Sequence, residues 1–217
     1  DYITRVYSLP QKYGNIAKCF IIQDEQLEQN TQTIVKNGKV TKQKNVTTIP
    51  NPLALNFYVL GFDYRKNLIA LTDTVKKNLR VYLSQYRILT DAINIKDAYT
   101  INIGVRFSII TQRNYNKNEV LLRCIDAVKN HFDIDKWSIS QPIILSDIAY
   151  VISLVEGVAS VVPPEDDNPQ KQMVVIENKY SVSDGYSGHV YDLQSATKDG
   201  IIYSSLDPSI FELKFPN

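Results

Sequence analysis

His131 and His189 are the only imidazoles among 217 residues, and that alone bounds the chemistry available to the chain. A multi-histidine metal centre is out of reach with two such side chains, and a histidine-based nucleophilic triad has little to draw on. His131 falls near the C-terminal end of an apolar-periodic helix, where a positive ring would complement the helix dipole, and both histidines are read as structural. Neither a glycine-rich phosphate loop nor a zinc spacing can be built from the eight glycines and two cysteines. The expectation is therefore no catalytic residues, no cofactor-binding residues and no metal ligands.

Carboxylates are the next candidates. Asp133 with Asp135, or the run Glu165, Asp166 and Asp167, could be offered as an acid–base pair or a calcium site. Both lack the glycine turn and the bidentate glutamate of a calcium loop, so a turn and a solvated linker are the readings. Lys76, Lys77 and Arg80 could meet phosphates, but on an amphipathic helix they form the wet face. Cys19 and Cys124 each sit inside an apolar run and are expected to be buried, reduced thiols.

The charges of the whole chain nearly cancel, with 24 basic against 23 acidic residues, so no global field exists to draw in nucleic acid or an anionic membrane. No stretch approaches the roughly 18 consecutive apolar residues of a membrane span. Fourteen tyrosines stand out, because tyrosine supplies amphipathic contact area at low entropy cost in protein interfaces.

What must position these residues is a series of short elements. Residues 2–9 form a helix ended by Pro10, and a turn at Tyr13-Gly14-Asn15 leads into a strand from Ile16 to Ile22. The polar segment 23–48 carries Asn37-Gly38, the dipeptide of tight hairpin turns, and is expected to protrude as a hairpin. A strand from Leu55 to Phe62 precedes a helix whose stripe is Leu68, Leu71, Val75, Leu79, Tyr82 and Tyr86. Ile93 and Ile95, then Ile101, Ile103, Val105, Phe107 and Ile109, alternate with polar neighbours, which predicts strands with one buried face and a possible hairpin near Asp97-Ala98.

Asn116 caps a second helix with Glu119 reaching back to it, and Ser146 caps a third that Gly157 lets exit. Residues 158–162 make a last strand before the break from Pro163 to Pro169. The expected class is α+β, with mixed sheets each covered by helices on one side and an extended C-terminal tail. Its domains are 1–97 with the hairpin insertion 23–48, a second α+β domain 98–163 (alternatively merged with the first), and a linker and interaction tail 164–217. Within that tail Ile201, Ile202, Tyr203, Leu206, Ile210, Phe211 and Phe215 are the candidate subunit interface.

The order of these elements resembles that of the baseplate J-like family of contractile-tail phages. The likeness rests on Asp1-Tyr2, Pro10 and Gly14 before the apolar strand, on Leu55 to Leu60, on the helix through Tyr86 and the strands to Ile110, and on Ile144-Leu145-Ser146-Asp147 leading to Val155-Glu156-Gly157-Val158. The phrase Ser204-Ser205-Leu206-Asp207-Pro208-Ser209-Ile210-Phe211-Glu212 is similar to the C-terminal part of the T4-like wedge members of that family. The resemblance implies a piece of a longer structural protein of the baseplate wedge. Such a protein is a late product, assembled in the host cytoplasm and resident in the virion tail, that associates with itself as a homodimer and with other wedge proteins into a ring around the hub. It implies no enzyme activity and no nucleic-acid, membrane or small-molecule partner. The competing reading is a ligand- or carbohydrate-binding module or a carboxylate-based hydrolase, which a concave cluster of perturbed carboxylates would favour.

Overall fold

In a computed structural model, residues 2–36, 39–87, 92–164, 171–205 and 207–214 are described, with backbone alone over 24–53. The chain is α+β and divides into two compact units, one of residues 1–61 and 70–97, the other of 62–69 and 98–217. In chain order the elements begin with α1 (Tyr2–Tyr7), β1 (Lys18–Lys36), β2 (Lys39–Phe62), β3 (Leu68–Ile69), α2 (Asp73–Ser84), β4 (Ala92–Asp97) and β5 (Tyr99–Thr111). They continue with α3 (Lys117–His131), β6 (Ile143–Ile144), α4 (Leu145–Ser153), β7 (Val158–Val162) and β8 (Val174–Asn178). The last are α5 (Leu193–Ala196), β9 (Thr197–Lys198), β10 (Ile201–Ile202) and β11 (Ser209–Leu213).

In the first unit β1 pairs antiparallel with β2, and β4 lies parallel to β2 over residues 54–59. Pro10 closes the first helical segment, and Gly14, at φ 129°, turns the chain into β1, where an added Cβ would lie 2.5 Å from a methyl of Val75. The apolar spacing that predicts α2 is realised by Leu79 and Leu83, which are fully buried against Val6, Phe57 and Val59. Leu68 does not join this stripe: it belongs to β3 in the other unit. Lys76, expected on a wet face, is bound to Asp97 at 2.6 Å.

The predicted hairpin 23–48 is continuous with the sheet rather than inserted beside it. β1 and β2 remain paired out to Lys36 opposite Lys39, while β4 reaches only as far as Ala54. The Asn37-Gly38 turn lies outside the described residues. The pairing register shifts between Gln23 and Asp24, opposite the stretch that holds Pro52, a residue with no N–H to give to a ladder.

In the second unit β5 is the organising strand. Residues 99–103 pair parallel with β11, residues 103–107 pair antiparallel with β8, and residues 108–111 pair antiparallel with β7. β4 and β5 do not form the hairpin expected at Asp97-Ala98, since the two strands enter different sheets. Helices α3 and α4 pack on one another and on this sheet, burying Val120, Cys124, Val128, Ile148 and Ile152 with Ile101 and Ile103. The alternation in β5 is buried only at its start; Val105, Phe107 and Ile109 are half-buried.

Asn116 caps α3 as its position predicts, accepting from the Asn118 N–H at 3.0 Å, but Glu119 turns away to Arg123 at 2.6 Å. Ser146 is not a cap, because α4 begins one residue earlier at Leu145. Residues 164–217 were expected to be an extended interaction tail. Instead they supply β8 and β11 to the sheet of β5, and β10 joins β6 and β9 in a small three-stranded sheet. The tyrosine- and serine-rich composition concealed two five-residue apolar strands, which need no core of their own when a neighbouring strand is already present.

Candidate functional site

Of the seven residues expected at a subunit interface, the five that are described differ in burial. Ile202, Ile210 and Phe211 are 2%, 0% and 1% exposed, so they fill the chain's own core and are withdrawn from any surface role. Ile201 is half-buried in β10, and Tyr203 is exposed, its carbonyl accepting from the Tyr191 hydroxyl at 2.7 Å. Leu206 and Phe215 lie outside the described residues, as do Glu165, Asp166 and Asp167.

A polar network missed by sequence reasoning lies where β11 meets β5. Asn102 and Glu212 face each other in register and are 0% and 4% exposed. One Glu212 carboxylate oxygen accepts from the Leu68 N–H at 2.9 Å, and the other accepts from Asn102 Nδ2 at 2.7 Å. Burial pushes this carboxyl above the usual range, against the opposing pull of those two donors and of Lys214. Asn102 Oδ1 in turn accepts from the Ser187 N–H at 2.7 Å, and the Asn102 carbonyl accepts from Lys179 N at 2.9 Å and Asn178 Nδ2 at 3.0 Å. An isolated buried polar pair would be costly; here each atom is satisfied by a second segment, so the network fastens residues 178–191 and 68 around the strand pair.

Beside it the chain forms a cleft of about 290 Å³ lined by Tyr99, His189, Tyr191, Ser205, Asp207 and Ser209, among others. His189 Nδ1 lies 2.9 Å from the Thr100 carbonyl, which also accepts from the Ser187 hydroxyl at 2.7 Å. A carbonyl only accepts, so Nδ1 is the donor in this contact. The ring is thus oriented by a backbone carbonyl and stacks edge-on with Tyr99 at 5.2 Å. Ser209 Oγ is buried with no hydrogen-bond partner among the described residues.

His131 occupies the last position of α3, packed edge-on against Phe132 at 5.1 Å and tilted on Trp137 at 5.9 Å. Burial holds its ring below the usual imidazole value, outweighing the upward pull of Asp147. The ring packs at the helix end, in keeping with the structural reading of this histidine. Both cysteines are free; Cys124 is fully buried, and Cys19 is half-buried with its thiol pushed up to about 12. Among the described residues no group of three or more His, Cys, Asp or Glu gathers that could hold a metal ion, and no helix is long and apolar enough to cross a membrane.

No protein-family model matches the chain, and no curated protein sequence matches it.

Proposed function

We propose that this chain is a structural component of a contractile-tail phage baseplate wedge, of the T4-like kind, with no catalytic role of its own. It associates with itself and with other wedge proteins to join wedges into a ring around the hub, as part of the virion. The observation that carries the structural role is the two-stranded arm. Residues 24–36 of β1 and 39–51 of β2 pair with each other beyond the end of β4, an extension on the order of 40 Å at about 3.3 Å per residue. An isolated two-stranded ribbon is marginal in water, so an arm of this length serves a chain that is held by neighbours. The resemblance described above supplies the identity of the neighbours.

Sedimentation of the protein alone, and mixed with the other wedge components, tests this reading. The expected result is a concentration-dependent dimer and a larger joint species, both weakened when residues 24–51 are replaced by a short turn. A chain that stays monomeric at high concentration and forms no joint species with wedge components overturns it.

A further inference from the structure

The two strands of the arm have unlike edges. β1 is the end strand of its sheet, with β2 as its only strand partner among the described residues, and on β2 the pairing with β4 stops at Ala54. An edge strand is a template for a further strand, and proteins guard such edges with lysine and proline. Along the arm β2 carries both, with Lys39, Lys42, Lys44 and Pro50, and the proline has no N–H to give to a new ladder. β1 between Asp24 and Lys36 has no proline and no lysine before its last position, only Gln, Asn, Thr and a few apolar residues beside its acids. One edge is guarded, and the other is left able to take a strand.

The charges are also sorted along the length of the arm. Residues 24–29 of β1 and the residues 46–51 that pair with them hold Asp24, Glu25 and Glu28 and no basic residue. Residues 31–36 and their partners 39–44 hold Lys36, Lys39, Lys42 and Lys44 and no acidic one. Asn30, in register with Asn45, marks the midpoint. Lys36 is in register with Lys39, and like charges set opposite one another weaken a ladder unless an anion lies near.

We infer that the open β1 edge of the arm pairs antiparallel with the same edge of a second copy of this chain, about a two-fold axis at Asn30. The axis brings Asp24 of each copy into register with Lys36 of the other, with Lys39 of that copy one strand further on. The acidic base of each arm thereby lies along the basic tip of its mate, and the joined arms form a four-stranded ribbon in the order β2-β1-β1-β2. Pairing through β2 instead would set three lysines of one strand near three of the other, with Pro50 interrupting the ladder. The contact is isologous, so it closes at two copies. It rests on the assembly reading for the presence of a second copy, and it names the edge, the direction and the register of that contact.

A charge swap in the whole chain, read by sedimentation, tests it. One variant combines Lys39→Glu, Lys42→Glu and Lys44→Glu, and the other combines Asp24→Lys, Glu25→Lys and Glu28→Lys. Each alone is expected to dimerise at least about tenfold more weakly than the native chain, and an equimolar mixture of the two should recover the loss as a heterodimer. Recovery on mixing requires that both variants are folded. Asn30→Cys, on the axis, should form a disulfide between copies under oxidised glutathione, whereas Asn45→Cys and the native chain with Cys19 and Cys124 should not. A dimer indifferent to both triple variants, a mixture that recovers nothing, or a cross-link at Asn45 and not at Asn30 overturns the arm pairing and leaves the assembly reading standing. A native chain that stays monomeric overturns the pairing as well, and overturns the assembly reading only if it also forms no joint species with the wedge components.

Discussion

Replacing Glu212 with glutamine changes one oxygen to an NH₂ group and leaves the shape of the side chain almost unaltered, yet it should destabilise the second unit. Two donors converge on the carboxylate, the Leu68 N–H at 2.9 Å and Asn102 Nδ2 at 2.7 Å. A glutamine can offer its single oxygen to only one of them and turns a donor against the other. Asn102 cannot flip to compensate, because its own oxygen already holds the Ser187 N–H at 2.7 Å. With the site 4% exposed, one orphaned donor costs about 1–3 kcal/mol, and Glu212→Leu, which orphans both, costs roughly twice that. The only tryptophan, Trp137, is 4% exposed and lies in this unit, so its fluorescence during urea unfolding reads the relevant transition. A second arm follows the pH. Because burial raises the folded-state pKa of Glu212, its contribution is fully present below the ordinary glutamate value and is lost as pH rises through the raised one. The advantage of the native chain over Glu212→Gln should therefore narrow with rising pH across that window. Equal midpoints for the two proteins, or an advantage that widens as pH rises, would refute the reasoning.

Removing residues 165–217 takes away β8 and β11, the partners of β5, so the truncated chain should lose the Trp137 transition while far-ultraviolet dichroism retains the signal of the first unit. Gly157→Ala places a Cβ 2.6 Å from a methyl of Val120 at φ 95°, and a loss of about 1–3 kcal/mol in urea unfolding is expected. His131 is held below its usual value by burial, so its contribution is fully present above the ordinary imidazole value of about 6.5 and is lost as pH falls from there through the lower folded-state value; His131→Phe should flatten this part of the stability–pH curve.

The α+β class was readable because period-2 and period-3.6 patterns are local. The alternation from Ile101 and the Asn116 cap each depend on a few neighbouring residues, and both correspond to elements of the structure. Strand partnership is a different kind of information. Nothing near Tyr99 announces that Ser209 will lie beside it in a parallel ladder, because that pairing depends on a match across more than a hundred intervening residues. The Asn102–Glu212 pair was hidden for the same reason. Asn102 occupies a polar position in an alternating strand, where solvent is the simplest expectation, and only the return of residues 187–191 encloses it. Glu212 did carry a faint signal, a lone carboxylate inside Ile210-Phe211-Glu212-Leu213, and a charge in such a run calls for a partner. The cleft had no local signature, since its walls come from segments near residues 99, 189 and 207.

The parallel pairing of β5 with β11 also sets a timetable for synthesis. Residues 1–61 and 70–97 can close their own sheet as soon as β4 has left the ribosome, whereas β5 emerges next and must wait for its parallel neighbour. The bonded residues Asn102 and Glu212 are 110 positions apart, which at 5–20 residues per second is a delay on the order of 5–20 s. Until β11 arrives Ile101, enclosed in the finished protein, has no strand partner, whereas Ile103 can already pair with Asn178 of β8. All strands of the first sheet, β1 to β4, are thus synthesised before β5, whereas the sheet of β5 is complete only when β11 arrives.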